Sequence, residues 1–119
     1  MSIVLVKLKI SNSDNGTEPI EVDDAVVDTG SINTVLPRDL AVRLGLKKTG
    51  TRDVLTASGP ETLDTSYAFL QLQGKETMMP LLVSDVLPQT IVGVTLLEVL
   101  GFIVDPGREE LRETDILFL

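Results

Sequence analysis

Cysteine, histidine and tryptophan are all absent from the 119 residues, and tyrosine occurs once. Without thiol or imidazole there can be no disulfide, no thiol nucleophile, no zinc site of the usual Cys/His kind, no Ser-His-Asp triad and no imidazole general base. Carboxylate, hydroxyl and amine groups remain, so carboxylates are the natural acid and base of any metal-free chemistry. No cofactor is called for, and no clustered carboxylate spacing suggests a calcium or magnesium loop, so no metal is expected. Basic charge is scarce as well: ten Lys and Arg stand against eighteen Asp and Glu, a formal charge of −8. Such a surface repels phosphate backbones and anionic lipid, so neither nucleic acid nor membrane is an expected partner. No run approaches the roughly eighteen apolar residues of a membrane span. The first seven residues hold too few apolar side chains for a secretory signal. A soluble, cytoplasmic protein is expected, with Asn15-Gly16-Thr17 read as turn chemistry instead of a glycosylation site.

A hydrophobic content of 43% over this length suits one globular domain, residues 1–119, with one core. Alternating apolar residues predict strands at about 2–10, 20–27, 51–56, 64–73 and 76–84. The turn formers Ser11-Asn12-Ser13-Asp14-Asn15-Gly16 join the first two as a hairpin, and Gly-containing turns fall at Ser58-Gly59-Pro60 and Gln73-Gly74-Lys75. Two short helices interrupt the strands. Pro37 suits the first helical position of one, whose Leu36, Leu40 and Leu44 share a face before Gly45. Thr95-Leu96-Leu97-Glu98 fits a capping box at the start of the other, which Gly101 ends. Residues 102–119 read as a strand, an Asp105-Pro106-Gly107 turn and a terminal strand, Ile116-Leu117-Phe118-Leu119. The fold class expected is all-β: a small closed antiparallel barrel with one or two short helices. A strand, an apolar turn ending in glycine and a Leu-rich helix occur at 25–45 and again at 90–101, suggesting two related halves.

The sharpest local feature is Ala25-Val26-Val27-Asp28-Thr29-Gly30-Ser31. An aspartate directly after an apolar strand, followed by a tight turn, sits where the chain leaves the core. Its carboxylate is expected to be partly buried and flanked by backbone amides and the Thr29 and Ser31 hydroxyls, an environment that tunes acidity. The tetrapeptide alone is also ordinary turn chemistry. Met78-Met79-Pro80 reads as core filling, and Asp23-Asp24 and Glu109-Glu110 as solvated charge. Pro106 replaces the Thr or Ser that a second motif at Asp105 would need, which makes Asp105 a turn residue.

With that context the sequence resembles the retropepsin-like (retroviral-type, clan AA) aspartic proteases, as a small single-domain, prokaryotic-type member. Val26-Val27-Asp28-Thr29-Gly30-Ser31 matches the family's apolar-apolar-Asp-Thr/Ser-Gly-Ala/Ser signature. Ile91-Val92-Gly93 with Leu96-Leu97-Glu98-Val99-Leu100-Gly101 matches its apolar-apolar-Gly-helix landmark. Between them, Val54-Leu55-Thr56-Ala57-Ser58-Gly59-Pro60 looks like the flap hairpin. The resemblance implies a barrel of the acid-protease type and peptide hydrolysis by water held between the Asp28 carboxylates of a homodimer. It assigns Thr29 to a cross-subunit clasp, Gly30 to close backbone approach, and Ser31 to the outer oxygen of Asp28. Thr56, Ala57, Ser58 and Gly59 would meet a peptide or protein substrate. Two departures stand out: Val94 and Ile32 occupy the places where retroviral members pair an Arg with an Asp. The alternative of another class is a catalytically silent dimerisation or peptide-binding domain that keeps the fold, and a third is a generic β-barrel carrier.

Overall fold

The computed structural model describes residues 3–105 and 107–114. The elements run β1 (Val4–Ser11), β2 (Ile20–Val27), β3 (Val35–Pro37), α1 (Arg38–Arg43), β4 (Gly50–Thr56), β5 (Gly59–Leu72), β6 (Lys75–Ser84), β7 (Ile91–Val92), α2 (Val94–Leu100), β8 (Phe102–Asp105) and β9 (Glu110–Glu113). The first seven strands form one sheet in the order β1-β2-β7-β3-β6-β5-β4, and pairing of β1 with β5 closes it into a ring. The mostly β class with two short helices is as expected. The strands are not all antiparallel: β2–β7 and β3–β6 are parallel. The β2–β7 pair brings the segments after β2 and after β7 to the same end of the sheet.

Alternation explains the core. From Ser66 to Leu72 every second residue of β5 is buried, and Leu8 and Ile10 of β1 face the same interior. Leu36, Leu40 and Leu44 are buried together with Leu96 and Leu97 of α2, each such side chain stabilising the fold by about 1.5–3 kcal/mol. In β2 the alternation breaks at Asp23-Asp24, and the register shift against Val6 and Leu8 shows why. A bulge gives β2 an extra residue opposite Lys7, so both aspartates stay in water while Ala25 returns to the core. The β1–β2 turn folds down on α1: the Asn12 amide donates to the carbonyls of Leu44 and Gly45 at 2.9 Å each, satisfying the end of the helix. Tyr67 donates to Asp14 in the same turn.

Several local expectations change. Pro37 ends β3 and is the residue before α1, not its first helical residue. Helix α2 begins at Val94 with Gly93 before it and no side-chain cap, so Thr95 and Glu98 form no capping box. Its other end is as expected, since Gly101 takes φ 80°, a left-handed conformation that glycine adopts without a Cβ penalty. Asp105 acts as a turn residue, its Oδ1 accepting from the amides of Gly107 and Arg108 at 3.1 and 3.3 Å. The expected terminal strand, residues 116–119, and Pro106 lie outside the described residues. Among the described residues no helix is long and apolar enough to cross a membrane.

One ion network links elements far apart in sequence. Arg38, at the start of α1, places Nη1 2.8 Å from Asp64 Oδ2 in β5 and Nε 2.8 Å from Asp85 Oδ1 just after β6. Lys48 adds a contact to Asp64 Oδ1 at 3.4 Å. The Arg38 hydrogen bonds hold both carboxyls below the usual carboxylate range. A depressed folded value means stability present above the unfolded value, about 3.9, and lost as pH falls through the lower folded ones. Acidification below about pH 4 should therefore lower the thermal midpoint of the parent more than that of Arg38→Gln. The difference should be small, because the network is solvent-accessible. Parallel melting curves from pH 5 to pH 2 check this; identical acid slopes would contradict it.

Candidate active site

The Asp28 loop is built from backbone contacts. β2 is parallel to β7, with Val26 beside Ile91 and Val27 beside Val92. The Val26 amide donates to the Thr90 carbonyl at 2.9 Å, and the Asp28 amide to the Val92 carbonyl at 3.0 Å. Apolar Val26 and Val27 thus hold the strand in the sheet up to the residue whose side chain leaves it. The loop then turns tightly: the Ser31 amide donates to the Asp28 carbonyl at 3.0 Å, and the Gly30 amide donates to Asp28 Oδ1 at 2.9 Å. The side-chain bond is an Asx turn superposed on a backbone turn, and it orients the carboxylate through one peptide N–H.

The outgoing chain is tied to the start of α2. The Val94 amide donates to the Ser31 carbonyl at 2.8 Å and the Thr95 amide to the Ile32 carbonyl at 3.3 Å. These bonds satisfy first-turn amides of α2 and start the helix at Val94, which puts Thr95 inside it and leaves Thr95 no capping position. They also join the segments where an Arg–Asp pair is absent: backbone hydrogen bonds stand at Val94 and Ile32. The Gly93 amide donates to the hydroxyl of buried Thr34 at 3.2 Å, while the Thr34 carbonyl accepts from the Leu82 amide at 3.0 Å. A Cβ at Gly93 would stand 2.5 Å from the Asn33 carbonyl carbon and oxygen and 2.7 Å from the Ile32 oxygen. Every one of those atoms is backbone, so nothing can swing aside. A Cβ at Gly30 would lie 3.2 Å from Asp28 Oδ1, a side-chain atom.

Asp28, Thr29 and Gly30 are exposed and Ser31 is half-buried. The partly buried carboxylate with two flanking hydroxyls is thus not found within one chain. The Ser31 hydroxyl donates to the Asn33 carbonyl at 2.8 Å instead of to Asp28, so it braces the loop. Thr56, Ala57, Ser58 and Gly59 form the tip of the β4–β5 hairpin. Thr56 Oγ1 donates to the Gly59 carbonyl at 2.8 Å and accepts from the Ser58 amide at 3.1 Å. The turn is Ala57-Ser58, and Gly59, at φ 112°, already begins β5. Thr34, missed in the sequence, is the buried hydroxyl that meets Gly93. Its one signal is a polar residue heading the apolar run Thr34-Val35-Leu36. Among the described residues no group of three or more acidic side chains is placed to hold a metal ion.

The Asp28-Thr29-Gly30 turn is thus locked to the end of the Ile91-Val92-Gly93 strand. The family model described as "Aspartyl protease" matches residues 6–96, and the chain belongs to that family. Among curated proteins no match is found. Solved structures define the fold more closely as retropepsin-like. The EIAV protease complexed with the inhibitor HBY-793 is similar at 22% identity and TM-score 0.67, over 83% of this chain and 88% of that one. The retroviral protease-like domain of Ddi1 from Leishmania major is 17% identical with TM-score 0.61, over 98% of this chain and 91% of that one. A retropepsin-like aspartic protease from Rickettsia conorii is 22% identical with TM-score 0.54, over 88% of this chain and 89% of that one.

The two glycines of the loop should respond differently to an added methyl. Gly93→Ala is expected to cost about 1–3 kcal/mol or more, as overpacking against fixed atoms does. Gly30→Ala should leave stability nearly unchanged, because the Asp28 carboxylate can yield. Chemical denaturation of both variants checks this, and a Gly93→Ala protein as stable as the parent would contradict the packing described.

Proposed function

We propose that the protein is a homodimeric aspartic endopeptidase in which two copies of Asp28, one from each chain, activate a water molecule. The observation that carries this reading is the Asp28 loop itself, with its carboxylate oriented by the Gly30 amide yet exposed in a single chain. The sequence contains one Asp-Thr-Gly, and a twofold axis through the site supplies the second carboxylate from an identical surface. Thr29 and Gly30 are exposed beside it, where a second loop can be met. Large apolar side chains are also bare after the motif, in the hairpin that the resemblance reads as a flap, and in the loop leading into β7. Ile32 after the motif is 68% exposed, Leu55 in the hairpin 83%, and Val86 in the loop before β7 71%. An extended, largely apolar peptide segment is the substrate class they suit.

The chemistry follows from two carboxyl groups about 3 Å apart, which cannot both ionise easily and so share one proton. The protonated partner donates a hydrogen bond to the scissile carbonyl oxygen and polarises it. The ionised partner takes a proton from water as the water oxygen forms its bond to the carbonyl carbon. Collapse of the tetrahedral intermediate breaks the C–N bond, and the carboxyl group that took the water proton delivers it to the leaving amine. No covalent enzyme intermediate and no cofactor is required. Thr29 acts as the hydroxyl clasp between the two loops, while Ser31 acts through the loop by its bond to the Asn33 carbonyl.

The test is cleavage of a mixed peptide library between pH 4 and pH 7, with the mass in solution recorded. The parent should cleave as a dimer, and Asp28→Asn should remain a folded dimer with cleavage below detection. Equal cleavage by both proteins would defeat the mechanism, and no cleavage from a confirmed parent dimer would favour the silent peptide-binding domain.

A further inference from the structure

The segment between β6 and β7 is anchored at both ends and bare in the middle. At its start Ser84 Oγ accepts from the Val86 and Leu87 amides at 3.2 Å each, and Asp85 meets Arg38 through Nε at 2.8 Å and Nη2 at 3.5 Å. At its end the Thr90 carbonyl accepts from the Val26 amide, two residues before Asp28. Between the anchors Val86, Pro88 and Gln89 are exposed. Asp64, the other partner of Arg38, pairs with Thr51 of β4 on one side and Val83 of β6 on the other. It therefore marks the root of the β4–β5 hairpin, where that hairpin leaves the three-stranded part of the sheet. Arg38 itself begins α1, directly after β3, which pairs with both β6 and β7.

We propose that Arg38 is a positioning residue that ties the loop 85–90 to the root of the β4–β5 hairpin, so that the two segments bordering a bound peptide keep a fixed spacing. The role rests on the peptidase reading for its substrate and on the Arg38 geometry for the tether. Guanidinium chemistry suits it: the Nε–Nη2 edge serves one carboxylate while Nη1 serves the other, a planar fork that a lysine ammonium cannot reproduce. Energetics point the same way. The Arg38 side chain is 40% exposed and that of Asp85 71%, and ion pairs this open add little to global stability. What two short bonds to separate segments do supply is spacing, and a misplacement of about 1 Å in substrate-holding groups is enough to slow a reaction markedly. Lys48 also reaches Asp64, through Oδ1, while Arg38 Nη1 meets Oδ2.

Arg38→Gln and Arg38→Lys, each compared with the parent, test the proposal by two readouts. Amide hydrogen exchange should rise in 85–90 and around Asp64 in Arg38→Gln, with the thermal midpoint nearly unchanged and exchange in β1 and β2 unaffected. On a library peptide that the parent cleaves, KM should rise by roughly three- to tenfold with kcat within about twofold, the pattern of lost substrate positioning. Arg38→Lys, which can reach only one carboxylate at a time, should recover part of the KM and not all of it. Unchanged exchange in 85–90 would overturn the tether. Raised exchange with an unaltered KM would overturn the positioning role. A parent that cleaves no peptide would bring down the peptidase reading and with it the substrate role, while the exchange data would still decide whether Arg38 holds the loop.

Discussion

Everything around Asp28 depends on two backbone segments lying closer together than side chains permit. The Ile32 and Asn33 carbonyls sit against Gly93 at distances that leave no room for a Cβ, and the Val94 and Thr95 amides reach across to Ser31 and Ile32. This contact fixes the exit of the Asp28 loop, while the Asp28–Val92 hydrogen bond fixes its entry. It also supplies the start of α2, whose first amides are served by that loop. The hydrophobic core beneath, with Leu36, Leu96 and Leu97 packed together, holds the two segments in place from below. The carboxylate is thus oriented by a rigid main chain, and the Gly30 amide is the one donor that a single chain gives it by a described bond.

Under the proposed mechanism this loop is half a site. Its key groups stand in water, and the chemistry of shared-proton hydrolysis needs a second carboxylate brought to within about 3 Å. Family membership and a retropepsin-like fold set the frame for that reading, and the exposed Asp28-Thr29-Gly30 loop is where it becomes chemical. In the places of an Arg–Asp ion pair the chain has Val94 and Ile32, and backbone hydrogen bonds span the same gap. The loop is therefore held without a charged clamp, and Ile32 is left as an exposed apolar side chain shortly after Asp28.

Local patterns were legible to the extent that local forces decide them. Alternation located β2 within its observed bounds and β1, β4 and β6 closely, whereas the short β3 went unread as a strand, and the Asp28 and Gly93 motifs were visible as landmarks. What could not be read is nonlocal. The bulge at Asp23-Asp24 depends on pairing with β1, and β5 extends back to Gly59 because β4 pairs along it. Thr95 has the composition of a cap, yet α2 starts one residue before it, its Val94 and Thr95 amides taken by the Ser31 and Ile32 carbonyls from far earlier in the chain. Ser31 looked like a partner for Asp28 because it is close in sequence, but its hydroxyl turns to Asn33. Arg38 carried no sequence signal, since its partners, Asp64 of β5 and Asp85 just after β6, are brought near only by folding.

The central claim is that a working site takes one Asp28 from each of two chains, and mixing chains tests it most directly. Parent protein is allowed to exchange subunits with increasing amounts of Asp28→Asn at constant total concentration, and cleavage is followed. If each site needs both carboxylates, activity should fall roughly as the square of the parent fraction, because mixed dimers are inactive. Activity falling in simple proportion to the parent fraction, with subunit exchange confirmed, would mean that one Asp28 suffices and would contradict the account.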